Sequence, residues 1–89
     1  MNSVVTVVGK DSVGIISTIS GVMADNSINI LDISQTIMDG YFTMIMLVDI
    51  SIATKEIKEI RAILDEAGVK LGVSVTIQHE QVFQAMHRI

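Results

Sequence analysis

Apolar positions along the chain switch between a period of two and a period near 3.6, and the switches mark the elements. Ser3-Val4-Val5-Thr6-Val7-Val8 is a short β-branched run that reads as a strand, ended by Gly9. Valine on both phases predicts a central strand covered on two faces. Lys10-Asp11-Ser12 is a polar loop, with Asp11 and Ser12 as candidate N-caps of a helix over about 13–26. In that helix Ile15, Ile19, Val22 and Met23 form one apolar stripe flanked by Ile16. Gly14 and Gly21 fall inside it, each at a cost of about 1 kcal/mol relative to alanine. Gly14 sits in the first turn, where a missing side chain leaves room for a close approach to unpaired backbone N–H groups.

Residues 28–38 read as a second strand with a fault. Ile28 and Ile30 share one phase, while Leu31, Ile33, Gln35 and Ile37 follow the other. A period of two cannot change parity without an extra residue, which predicts a bulge near Leu31-Asp32. Asp39-Gly40 is a two-residue hairpin signal. The run from Tyr41 to Val48 is apolar at nearly every position and predicts a second strand covered on both faces. From Thr54 to Ala67 a helical stripe of Ile57, Ile60, Leu64 and Ala67 opposes a charged face. Ser51 or Thr54 is placed to cap its start and Gly68 to end it. Residues 71–78 alternate cleanly, as an edge or half-exposed strand does. His79 to Ile89 returns to helical spacing, with Val82, Phe83, Met86 and Ile89 on one stripe. Eleven residues are too few for a stable isolated helix, so this stripe must dock.

The order β-α-β-β-α-β makes the fold class α+β. A split βαβ unit with right-handed crossovers gives a ferredoxin-like sandwich, a four-stranded antiparallel sheet in the order 4-1-3-2 with two helices on one face. That order places the first and third strands centrally, in agreement with their two-sided apolar character. The domain runs over 1–78, and 79–89 is its C-terminal helical extension.

Composition narrows the function. Hydrophobic residues make up 49% of the 89 and charged residues 18%, below the roughly 25% usual for a domain in water. So small a domain buries only about 60–65% of its unfolded surface, and the excess apolar surface predicts a homodimer. The absence of cysteine excludes disulfides, thiolate metal sites and a cysteine nucleophile, and fits a reducing, cytoplasmic setting. No apolar run is long enough to cross a membrane, and no signal-peptide layout is present. A net charge of −4 with six Lys and Arg argues against nucleic acid. His79 and His87 do not share a helix face as a metal pair would, Asp32 and Asp39 are not spaced as an acid–base pair, and Ser12 has no visible base. Neither an enzyme nor a cofactor is expected.

The strongest candidate site is Gly9-Lys10-Asp11-Ser12-Val13-Gly14-Ile15, which joins a central strand to a helix start. Free N–H groups there favour a carboxylate, and Lys10 or Asp11 can meet the other charge of a zwitterion. Asn29 offers both donor and acceptor, near this loop or near a neighbour's copy of it. The plainer reading of the segment is a helix start with a glycine turn.

Val7-Val8-Gly9-Lys10-Asp11-Ser12-Val13-Gly14-Ile15-Ile16, followed by Asn29-Ile30-Leu31-Asp32-Ile33-Ser34-Gln35, resembles an ACT domain. The family pattern is a strand, a Gly-x-Asp-x-x-Gly-hydrophobic turn, a helix and an Asn-Ile second strand. With its Phe-x-x-Met-His ending the whole chain resembles short stand-alone bacterial ACT proteins, which are similar to the modules of the glycine-cleavage-system repressor. The resemblance implies a regulatory domain that binds a small amino acid between the first loop of one subunit and the second strand of another. The ligand residues it implies are Asp11, Ser12, Val13 and Gly14, with Asn29, Ile30 and Leu31 from the second strand; Lys10 and Ile15, from the reading of the loop itself, complete the candidate ligand-binding set. Bound state would pass to a regulatory protein or enzyme partner, since the chain has no room for a fused one. The alternative is a ligand-free interaction module that uses the sheet face or the C-terminal helix.

Overall fold

A computed structural model describes residues 2–86, with the side chain of Met86 left aside. Its elements are β1 (Asn2–Lys10), α1 (Ile15–Asp25), β2 (Asn29–Met38), β3 (Tyr41–Asp49), α2 (Ile57–Leu71), β4 (Val73–His79) and α3 (Glu80–Met86). The four strands form one antiparallel sheet in the order β2-β3-β1-β4. This is the predicted order read from the other edge, with β1 and β3 central.

The core lies between one face of the sheet and the helices. Val5 and Val7 of β1, Met44, Met46 and Val48 of β3, and Val75 and Ile77 of β4 meet Ile15, Ile19 and Met23 of α1 and Ile60 and Leu64 of α2. The opposite face is not covered as the sequence pattern predicts. Val8, Ile45 and Tyr41 lie open on it, at 45%, 40% and 63% exposure. Val4 shares that face but is buried. α3 packs against β1 and β4, at the end of the sheet where Val4 lies.

The parity fault in β2 is real. The β2–β3 register shifts between Ile30 and Asp32, so Leu31 is the extra residue, and Asp32 Oδ1 accepts the N–H of Ile33 at 2.8 Å beside it. The hairpin also forms as read: Asp39 and Gly40 both have positive φ, at 53° and 81°, as a type I′ turn requires.

Helix boundaries differ from expectation at each end. α1 starts at Ile15, with Gly14 rather than Asp11 or Ser12 as N-cap and with no side-chain cap. α2 starts at Ile57 behind an uncapped Glu56, so neither Ser51 nor Thr54 caps it. Ser51 is drawn away by Asp49, whose Oδ1 accepts both its N–H (2.9 Å) and its hydroxyl (2.6 Å). At the far end α2 runs through Gly68 to a left-handed Gly72, so Leu71 belongs to the helix and not to β4. Gly68 is buried against β4, where an added Cβ would stand 2.7 Å from the Val73 carbonyl oxygen. Its role is close helix–sheet packing.

The tail forms a helix as its spacing predicts, with Phe83 half-buried and Val82 still 47% exposed. His87, Arg88 and Ile89 lie outside the described residues. Among the described residues, no helix is long and apolar enough to cross a membrane, and no cluster of His, Cys, Asp and Glu is arranged to hold a metal.

Candidate functional site

β1 carries the chain to one end of the sheet and delivers Lys10 opposite Tyr41, beside the β2–β3 hairpin. Asp11 then donates its backbone N–H to Gly40 O at 2.8 Å, which ties the first loop to the hairpin tip. Ser12 and Val13 follow in the open, Val13 with its whole side chain in solvent. Gly14 turns the chain into α1 with φ at +93°, a conformation that costs side-chain-bearing residues but not glycine. A Cβ there would meet nothing within 4 Å, so backbone conformation and not crowding explains this glycine.

The start of α1 is chemically bare. The first bond to a cap carbonyl runs from Thr18 N to Gly14 O at 2.9 Å. The N–H groups of Ile15, Ile16 and Ser17 precede it, and neither a side-chain cap nor an acidic residue in the first turn serves them. Ile15 buries its side chain in the core, so only its backbone can serve a ligand. Three N–H groups at the positive end of a helix dipole suit a carboxylate.

Asn29, Ile30 and Leu31 are not at this end. Asn29 pairs with Asp49, which pairs with Asn2, and this row is the opposite end of the sheet from Lys10, Tyr41 and Met38. At about 3.3 Å per residue along β1, the two rows stand roughly 26 Å apart. Within one chain the two halves of the implied site are therefore separate. Asn29 is exposed, Ile30 is half-buried against the core, and Leu31 is the bulge residue, 47% exposed.

Asn29 has companions that sequence reasoning missed. It lines an open pocket of about 520 Å³ with Ala24, Ser27, Ile28, Asp49 and Ile52. The turn that shapes the pocket is well tied. Asn26 caps α1, donates its side-chain amide to Val22 O at 2.8 Å and accepts Lys55 Nζ at 3.3 Å, and Ser27 passes through φ of 57°. The signal for Asp49 was present as Asp49-Ile50-Ser51, an Asp two residues before a Ser at a strand exit, which is the spacing of a local carboxylate turn. The two hydrogen bonds from Ser51 hold the Asp49 carboxyl below its ordinary value.

From Leu31 to Gly40 every residue is exposed, and β2 is an edge strand whose outer side meets no other strand. Ile33 and Ile37 project on the helix side of the sheet, paired with Met46 and Phe42, yet remain 42% and 58% exposed. Among the described residues, the helices leave this margin of the sheet uncovered.

The family model of the ACT domain matches residues 3–78. The chain belongs to the ACT domain family. This ACT domain is 57% identical to the UPF0237 protein of Clostridium perfringens, over the full length of both chains. An ACT domain protein from Streptococcus pneumoniae shares its fold with a TM-score of 0.81 and 40% identity, with 98% of each chain covered. A putative glycine cleavage system transcriptional repressor is similar in fold alone, with a TM-score of 0.73 and 22% identity over 86% of this ACT domain and 44% of that chain. The ACT domain family is generally one of regulatory ligand-binding domains.

Proposed function

We propose that this ACT domain is a non-catalytic regulatory module of the cytoplasm that binds a small amino acid between two copies of the chain. The observation that carries this reading is the separation of the two half-sites to opposite ends of the sheet, with an uncovered β2 edge between them. A two-fold axis through that edge runs the two β2 strands antiparallel. Antiparallel pairing lays the Asn29 end of one copy beside the α1 start of the other. Each ligand then has its carboxylate on the bare N–H groups around Gly14, Ile15 and Ile16. Lys10, Asp11, Ser12 and Val13 flank it, and Asn29 to Leu31 of the other copy close the far side. Ligand that binds only this arrangement stabilises it over looser ones, and that population shift is what a regulatory protein or enzyme partner reads.

A thermal-shift screen of the protein against the twenty amino acids tests the reading. At 100 times its dissociation constant a ligand adds about 2.7 kcal/mol. For a domain of this size that raises the midpoint by roughly 10 °C or more. A selective response supports the sensor reading, and Gly14→Asp, which sets a carboxylate of the chain's own beside those N–H groups, removes it. Silence across all twenty at millimolar concentration favours a ligand-free interaction module. The exposed Val8, Ile45 and Tyr41 on the open sheet face, and the exposed Val82 of α3, give that alternative its surface.

A further inference from the structure

We propose that Arg61 of α2 closes the β4 edge of the sheet to a second copy of this chain, so that the sheet grows from its β2 edge alone and assembly stops at two copies. This rests on the two-copy reading above and adds the residue that limits it. The sheet has two edges, β2 and β4. The hairpin settles which backbone groups each edge turns outward. Its two-residue turn makes Met38 and Tyr41 a hydrogen-bonded pair, so odd-numbered residues of β3 bond to β2 and even-numbered ones to β1. Carried through the registers, odd-numbered residues of β1 serve β3 and even-numbered ones serve β4. Val73, Val75 and Ile77 of β4 therefore turn their N–H and C=O groups outward, as Ile33, Gln35 and Ile37 of β2 do.

The two edges are finished differently. Along β4 the outward groups meet α2. Gly68 lies so close that an added Cβ would stand 2.7 Å from Val73 O and 3.6 Å from Val75 N. About two turns earlier in the helix, Arg61 Nη2 donates to Ile77 O at 3.1 Å. At Gly68 the closure is backbone against backbone. At Ile77 it is a single side chain, which reaches across an open groove of about 270 Å³ between Arg61 and Asp65 of the helix and residues 75–78 of the strand. A guanidinium on a carbonyl that an incoming strand needs blunts the edge. Along β2 every residue from Leu31 to Gly40 is exposed. Ile33 N donates to Asp32 Oδ1 at 2.8 Å, but that carboxylate belongs to the strand itself, and among the described residues no helix covers Gln35 and Ile37. The difference sets the symmetry. With both edges free, β2 of one copy can pair with β4 of the next, a head-to-tail contact that repeats without end. With β4 closed only β2 on β2 is left, which is its own complement and closes at two.

Sedimentation velocity on the full chain, from micromolar to millimolar concentration, tests the assignment. The wild type is expected to reach the mass of two copies and no more. Arg61→Ala, at an exposed helical position that suits alanine, is expected to form species heavier than two copies in a share that rises with concentration, with amide exchange slowed over 73–79. Arg61→Lys, which can still donate to the carbonyl, is expected to restore the ceiling. Arg61→Met keeps the apolar stem without a donor and serves where Arg61→Ala does not fold by circular dichroism. In a chain that also carries Ile33→Lys and Ile37→Lys, which block the β2 edge, Arg61→Ala is expected to turn a monomer into a dimer. An Arg61→Ala protein that keeps the ceiling of two, and stays monomeric in the blocked chain, overturns the role of Arg61 and leaves the two-copy reading standing. Heavier species without slowed exchange over 73–79 overturn it as well. A monomeric wild type, together with a blocked chain that dimerises on Arg61→Ala, overturns the two-copy reading and supports the closure of β4.

Discussion

Glycine shows what can be read at single positions and what cannot. Gly21 lies inside α1 with nothing within 4 Å of where a Cβ would stand, so its replacement relieves only the helix cost. Gly21→Ala is expected to stabilise the fold by about 1 kcal/mol in urea unfolding. Gly68→Ala goes the other way, because its Cβ would press on the Val73 carbonyl at 2.7 Å and on Val75 at 3.1 Å. A loss of about 1–3 kcal/mol is expected in the same assay. The sequence placed Gly21 inside a helix and Gly68 at a helix end; that Gly68 instead lies within α2 and against β4 is set by a strand contact the local pattern does not carry. Ser3 makes a similar point for polar groups. It is fully buried, and among the described residues its hydroxyl finds no hydrogen-bond partner, nor does Nδ1 of His79, its register partner on β4. Ser3→Ala removes one of these uncompensated groups and is expected to stabilise the fold by about 1 kcal/mol. Asp49 has a pH signature. Its carboxyl is held below its ordinary value of 3.8 in the fold, so its contribution is full above that pH and is lost as pH falls through the lower, folded value. Asp49→Asn is expected to lower stability slightly at neutral pH and to flatten its decline in acid, so that the two proteins converge at low pH.

At the scale of elements, the strands were legible and the helix ends were not. Strand parity is a local signal, and the two phases of apolar residues in 28–38 located the bulge at Leu31 from sequence alone. The hairpin at Asp39-Gly40 was equally local, because a type I′ turn demands two positive φ angles. Caps were misplaced because several residues compete for each. Asp11 gives its N–H to the hairpin, and Ser51 is taken by Asp49, which leaves Gly14 and Glu56 to begin the helices without side-chain caps. The coverage of β3 was overread, since its apolar open face has no layer above Ile45 and Tyr41 within one chain. The edge strand carries the corresponding prediction. Ile33 and Ile37 are exposed on β2, so changing both to lysine is expected to leave the circular dichroism spectrum intact. The same double variant is expected to run as a monomer by size exclusion with light scattering at concentrations where the wild type is a dimer. A wild type that is itself monomeric at micromolar concentration would contradict the account of the β2 edge.

At the scale of the whole molecule, the motif that made the site recognisable in sequence is divided by the fold. Gly9 to Ile15 and Asn29 to Leu31 are neighbours in the chain order of motifs but occupy opposite ends of one sheet. Within one chain they stay apart, and the proposed two-copy site is what would bring them together. The most direct measurement is therefore titration calorimetry on mixed variants, with an amino acid that responds in the thermal screen. Gly14→Asp and Asn29→Ala are each expected to abolish binding alone. Mixed in equal amounts and allowed to exchange, they are expected to recover roughly a quarter of the wild-type binding stoichiometry at wild-type affinity. The fraction follows because half of the dimers are mixed and each mixed dimer has one intact site of two. A mixture that stays silent although exchange is shown to occur, or an Asn29→Ala protein that binds as the wild type does, would contradict a site shared between two chains.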